Sequence, residues 1–114
     1  MAATQFADTV IGIVSTGAIA QFAPVQASGA PAVAAGNAIG FAQVAATGAG
    51  QRIPVACGAT AIAIAGGAIA LGDAVQVHTT VTQVVTKSAG VAIGRALNAT
   101  SNAGDQLEVF IIPN

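Results

Sequence analysis

The sequence predicts an all-β fold. We expect a small single-domain β-barrel or sandwich over residues 9–114, built from two duplicated β-units and preceded by an extended N-terminal arm, residues 1–8. Three observations predict it. Short segments rich in β-branched residues are separated by Gly, Asn, Asp and Ser at intervals of about 8 to 12 residues, the spacing of a small barrel or sandwich. Fourteen glycines interrupt the Ala-rich stretches, and each interior glycine costs a helix about 1 kcal/mol relative to alanine. Finally, a large part of the chain reads twice.

The strand segments are residues 9–14 (TVIGIV), 61–65 (AIAIA), 74–86 (AVQVHTTVTQVVT), 90–97 (GVAIGRAL) and 106–112 (QLEVFII). Residues 28–40 (SGAPAVAAGNAIG) read as a loop or a Gly/Ala-rich hairpin arm. With 114 residues, the chain is long enough for one domain.

The repetition starts at TGAIAQFAPVQA, residues 16–27, and GGAIALGDAVQV, residues 66–77. Gly17-Ala18-Ile19-Ala20 falls on Gly67-Ala68-Ile69-Ala70, and Val25-Gln26 on Val75-Gln76. After a four-residue insertion the separation grows from 50 to 54. Ile39-Gly40-Phe41-Ala42 then falls on Ile93-Gly94-Arg95-Ala96, Gly50 on Gly104, Ile53 on Leu107 and Val55 on Val109. One gap therefore carries residues 17–55 onto 67–109, and a hairpin tip is where an insertion is tolerated. A chain this rich in Ala and Gly can also match itself by chance. The order of the matches and the single gap favour duplication. Two copies are too few for a solenoid, so two β-halves closing one small core fit better.

Composition narrows function. Charged residues are 6% of the chain, the net charge is -1, and the cations are Arg52, Lys87 and Arg95. Neutralising nucleic-acid phosphates takes several clustered cations, so a nucleic-acid partner is not expected. Residues 9–51 and 53–72 carry no charge, but the second run is broken by Pro54, Gly58, Gly66 and Gly67 and has no Trp or Tyr belt. No membrane role is expected. The N-terminus lacks the basic region and apolar core of a signal peptide. Cys57, the one cysteine, excludes an internal disulfide and a multi-cysteine metal site. It reads as a small buried apolar residue in a strand.

Candidates for chemistry are few. His78 is the one histidine, and the carboxylates are Asp8, Asp73, Asp105 and Glu108. Ser88 or Ser101 with His78 and Asp73 could be drawn as a triad, but nothing in the spacing places them together. Strand alternation puts His78 opposite Val77, as an exposed strand residue. Asp73 and Asp105 both follow a glycine and precede a strand, which turn chemistry explains. Glu108 alternates with Leu107 and Val109 and should face outward. Paired-carboxylate glycoside hydrolysis, metal ligation and a phosphate loop at TGAGQR all lack their partner residues. The expectation is a non-enzyme without cofactor or metal. Among the aromatics, Phe41 and Phe110 read as core by alternation. Phe6 lies in a polar arm that is either a frayed terminus or an anchor burying one aromatic against a partner for about 1.5–3 kcal/mol.

With the repeat laid out, the second half resembles the capsid cement, or head decoration, proteins of tailed bacteriophages. This is a family of small β-rich domains formerly of unknown function. The residues that carry the resemblance are Gly67, Ala68, Gly72, Asp73 and Val75, then Ile93, Gly94, Ala96 and Leu97, then Gly104, Asp105 and Val109. The match covers about half the chain. It marks Gly67, Gly72, Asp73, Gly94, Gly104 and Asp105 as family-motif turns. It implies a β-rich, homotrimeric virion protein on the outer surface of the icosahedral head, bound to the major capsid protein and stabilising contacts between its subunits. The arm, with Thr4, Gln5, Phe6 and Asp8, is the candidate capsid contact. The low charge and Ala-rich first half depart from many family members. The alternative is a β-rich module displayed on an assembly that binds a host surface or a glycan through loops such as residues 28–35.

Overall fold

The computed structural model describes residues 7–112. Eight strands follow in order: β1 (Ala7–Val14), β2 (Pro24–Val25), β3 (Gly40–Ala42), β4 (Arg52–Ile64), β5 (Ala74–Val77), β6 (Val84–Thr86), β7 (Gly94–Ala96) and β8 (Gln106–Ile111). Among the described residues there is no helix, so none could cross a membrane. The strands form one curled half-barrel sheet in the order β2-β3-β4-β8-β7-β5-β6, with β1 also on β4. Every strand pair is antiparallel. The all-β expectation holds.

β4 organises the sheet. Over residues 52–59 it pairs with β1, and within that stretch with β3 as well; over residues 60–64 it pairs with β8. Residues 61–65, expected as a separate strand, are mostly its last part. β1 takes in Ala7 and Asp8, placed in the arm by the sequence. The segment 74–86 is split into β5 and β6, because His78 N–H donates to Gln83 O and Gln83 N–H to Thr80 O in a tight turn. The segment 90–97 is ordered as strand only at Gly94–Ala96. Residues 28–40 form no named strand before Gly40, although Pro31 bridges Val25.

The backbone bonds of the first half recur in the second at the two separations found in the sequence. Phe22 N–H donates to Ala42 O and Gly72 N–H to Ala96 O, both at 2.8 Å. Ile39 N–H donates to Val25 O, and Ile93 N–H to Val75 O. Gly50 N–H donates to Ser15 O, and Gly104 N–H to Ala65 O. Strand registers match as well: Val25 faces Gly40 as Val75 faces Gly94, and Ile11 faces Val55 as Ala61 faces Val109. The first part of β4 thus closes the first half, as β8 closes the second. The last part of β4 opens the second half, as β1 opens the first.

Two apolar clusters fill the interior. One gathers Ile19, Val25, Ala42, Ile53 and Val55, with Ile11 and Ile13 against it. The other gathers Ile69, Val75, Ala96, Leu107 and Val109 with Ala61 and Ala63, and extends to Phe41 and Ala56 of the first half. Val55 and Ala56 are adjacent yet belong to different clusters. Plain alternation explains that, since neighbours in a strand face opposite ways. A break in alternation then puts Ala61 and Ala63 on the face of Ala56, where the register of β1 against β4 shifts twice between Ala7 and Val10 and Ala59 takes φ +55°. Such an irregularity moves every later side chain to the other face.

Strands pass close to one another at two matching glycines. A Cβ on Gly40 would collide with the Ala56 carbonyl, and one on Gly94 with Val109 Cγ1. Gly94→Ala should therefore lower stability by about 1–3 kcal/mol in urea unfolding, the usual cost of overpacking. Gly67→Ala, where nothing lies within 4 Å, should stay within about 0.5 kcal/mol of the parent.

Candidate functional site

The residues that could carry chemistry are occupied in turns. Asp73 Oδ2 accepts from Ala70 N–H at 3.3 Å and from Thr86 Oγ1 at 3.1 Å, which fastens the turn before β5 to β6. Asp105 Oδ2 accepts from Ser101 N–H at 3.2 Å and Asn102 N–H at 3.0 Å. In the first half Gln51 does the same work, its Oε1 accepting Thr47 N–H at 2.9 Å. Gly72 and Gly104 stand beside these aspartates with φ +88° and +91°. Gly67 has open space around it, and Gly94 lies at the crowded strand crossing.

His78 is half-buried in the turn after β5 rather than exposed along a strand, and its Nδ1 accepts from Thr80 N–H at 3.0 Å. Ser88 N–H donates to the Gln76 side chain. Asp73, His78 and Ser88 each serve a local hairpin bond instead of one another. Among the described residues no three His, Cys, Asp or Glu side chains gather.

Phe22 occupies the place of Gly72 in the first-half turn and holds φ +66°. A non-glycine residue in this region costs of order 1–3 kcal/mol. Only the second half relieves that cost with glycine.

The available surface is apolar. Phe110, expected in the core, is exposed instead, because Leu107, Val109 and Ile111 take the inner face of β8 and leave Phe110 with Glu108 on the outer one. Phe41 is buried. Leu97 and Arg95 join Phe110 on the outer face of β7–β8, and Arg95 donates to Gly72 O at 3.0 Å. A cleft of about 500 Å³ opens elsewhere, lined by Gln26, Ala27, Asn37, Ile39, Cys57 and Ile111 among others. Among the described residues no aromatic side chain lines it. Cys57, expected buried, is half-buried here, its Sγ 3.7 Å from Thr9 O. Among the described residues β1 pairs with β4 alone, and it shows Val10 and Val14 to solvent. Of the arm candidates, Asp8 falls in β1, while Thr4, Gln5 and Phe6 lie outside the described residues.

Sequence reasoning passed over Asn98, which is buried beside β8. Its Oδ1 accepts Glu108 N–H at 2.6 Å. Sequence reasoning named Cys57 and the loop from Ser28 but did not bring them together with Gln26, Asn37 and Ile39, which lie apart in sequence and meet in the cleft.

Comparison with known proteins follows the fold. The chain shares its fold with the head fiber gp8.5 N base in bacteriophage phi29. The two superpose with a TM-score of 0.72 at 14% sequence identity, over 91% of this chain and 93% of that one. No family model matches the sequence, and no curated protein matches it.

The turn aspartates act on stability. Asp105→Ala should lower the unfolding free energy by about 1 kcal/mol, the scale of a lost intramolecular hydrogen bond, as read from the urea midpoint. Asn98→Ala, which removes the acceptor of the part-buried Glu108 N–H, should cost about 1–3 kcal/mol.

Proposed function

We propose that this chain is a non-enzymatic structural protein of a bacteriophage head. In this reading it decorates the outer surface of the icosahedral shell as a homotrimer, binds the major capsid protein and reinforces contacts between its subunits. The observation that carries the reading is the likeness in fold to a phage head fiber base over nine-tenths of the chain. The motif residues Gly72-Asp73, Ile93-Gly94 and Gly104-Asp105 support it independently.

The physics of the surface agrees. Charge is scarce, apolar side chains are exposed on β1 and on β7–β8, and Asp73 and Asp105 serve turns. β1 carries one unpaired edge among the described residues, and such an edge can take up a strand from a neighbour. Thr4, Gln5 and Phe6, which precede β1 in the sequence, are the proposed capsid contact. Repetition over a shell supplies avidity, so each contact can be modest.

Purified shells lacking the protein test this. Added protein should cosediment with them at saturable occupancy and raise the temperature at which they rupture. Deleting residues 1–6 should lower occupancy while far-UV circular dichroism stays that of a β-protein. No cosedimentation, together with unchanged heat resistance, would sink the decoration reading.

A further inference from the structure

Matched positions in the two halves are not equally covered. In the first half the outer face of β3–β4 is sealed: Phe41 is 1% exposed and Ala56 is buried. Their counterparts, Arg95 and Phe110, sit opposite each other on β7 and β8 and are open, with Phe110 50% exposed. The inner rim shows the reverse. In the second half Val77 and Ile93 are buried, both to 1%, and Ile111, 7% exposed, is buried with them while its edge borders the cleft. Their counterparts Ala27, Ile39 and Cys57 line the open cleft, and Ile39 is 36% exposed.

One internal joint accounts for both asymmetries. Phe41 and Ala56 belong to the same buried cluster as Val77, Ile93 and Ile111. Ala35 pins the joint from both sides, its N–H donating to Val77 O at 2.9 Å and its carbonyl accepting Val91 N–H at 3.0 Å. The outer face of the first half thus covers the inner rim of the second. Each half carries both surfaces, but one chain can join only one pair. It leaves an outer face around Phe110 and an inner rim around Ile39.

We propose that these two leftover surfaces bind each other between copies of this chain, head to tail. Phe110 and Leu97 of one copy cover Ala27, Ile39 and Cys57 of the next, as Phe41 and Ala56 cover Val77, Ile93 and Ile111 within the chain. The occupant is a second copy because the matching surface is already seated on the same backbone frame inside each molecule. The changed residues fit a joint between separately folded chains. Arg95 replaces Phe41, and Asn37 stands in the cleft, giving a polar rim around an apolar centre. The two surfaces differ, so the contact is heterologous and repeats until it closes into a ring. It supplies the contact for the homotrimer of the preceding reading, and its test needs no shells.

Light scattering after size exclusion reads the mass. The wild-type chain should run as a discrete oligomer. Phe110→Glu and Ile39→Glu should each give a monomer with an unchanged circular dichroism spectrum. Mixing the two variants should restore a dimer, because one copy keeps its cleft and the other keeps Phe110. Alkylation of Cys57, the sole thiol, should be several-fold slower in the wild type than in Phe110→Glu. A monomeric wild type, single variants that keep the oligomer, or two monomeric variants that fail to pair would each overturn the proposal. Failure to bind shells by a chain that passes these tests would count against the decoration reading alone.

Discussion

Between Ala56 and Ala61, strand β4 changes which of its faces looks into which cluster. Ile53 and Val55 point into the first cluster, while Ala56, Ala61 and Ala63 belong to the second. The shift takes place at the Cys57–Ala59 irregularity, where Ala59 adopts φ +55°. Without it, regular alternation would put Val55 and Ala61 on one face and merge the two interiors. With it, the outside of the first half becomes a wall of the second half's core. One strand then serves two small cores that would otherwise lack a lid.

That arrangement explains the unusual composition. Ala56, Ala61, Ala63 and Ala65 are all fully buried along or just beyond this shared strand. Larger side chains there would push the two layers apart. Gly40 and Gly94 are needed for the same reason, since a Cβ at either would meet the neighbouring strand. Small residues bury little area each, and apolar burial stabilises at roughly 25 cal/mol per Å². The fold compensates with dense backbone pairing and with turns closed by Asp73, Asp105 and Gln51. Charge has little place in such a layer.

The repetition was legible because many of the bonds that define each half fall on residues the two halves share, such as Ile19 and Ile69, Val25 and Val75, and Ile39 and Ile93. Ile19 bonds Ala46 as Ile69 bonds Thr100, at the separations read directly from the letters. Phe110 shares its parity with Glu108, so the alternation that turns Glu108 outward against Leu107 and Val109 turns Phe110 outward too, and its bulk alone suggested the core. β4 was read too short, since Pro54 and Gly58 resemble interruptions. Here Pro54 faces Gly12 within the β1 ladder, and its carbonyl accepts Gln43 N–H. His78 and Cys57 were displaced by a turn and an irregularity that alternation does not anticipate. The cleft was invisible because its counterpart in the second half is filled.

A pair of matched units joined head to tail always ends with one of each surface unused. An isolated chain can hide them by polar substitution, and this one has done so only in part. Asn37 and Arg95 are polar where Val91 and Phe41 are not, yet Ile39, Leu97 and Phe110 remain apolar and open. Three large apolar side chains kept at two complementary places argue for use. Phe22 points the same way on the first half, since a strained backbone persists where glycine would fit. In the proposed decoration role, a ring of copies would multiply each weak outer contact by the number of copies it holds.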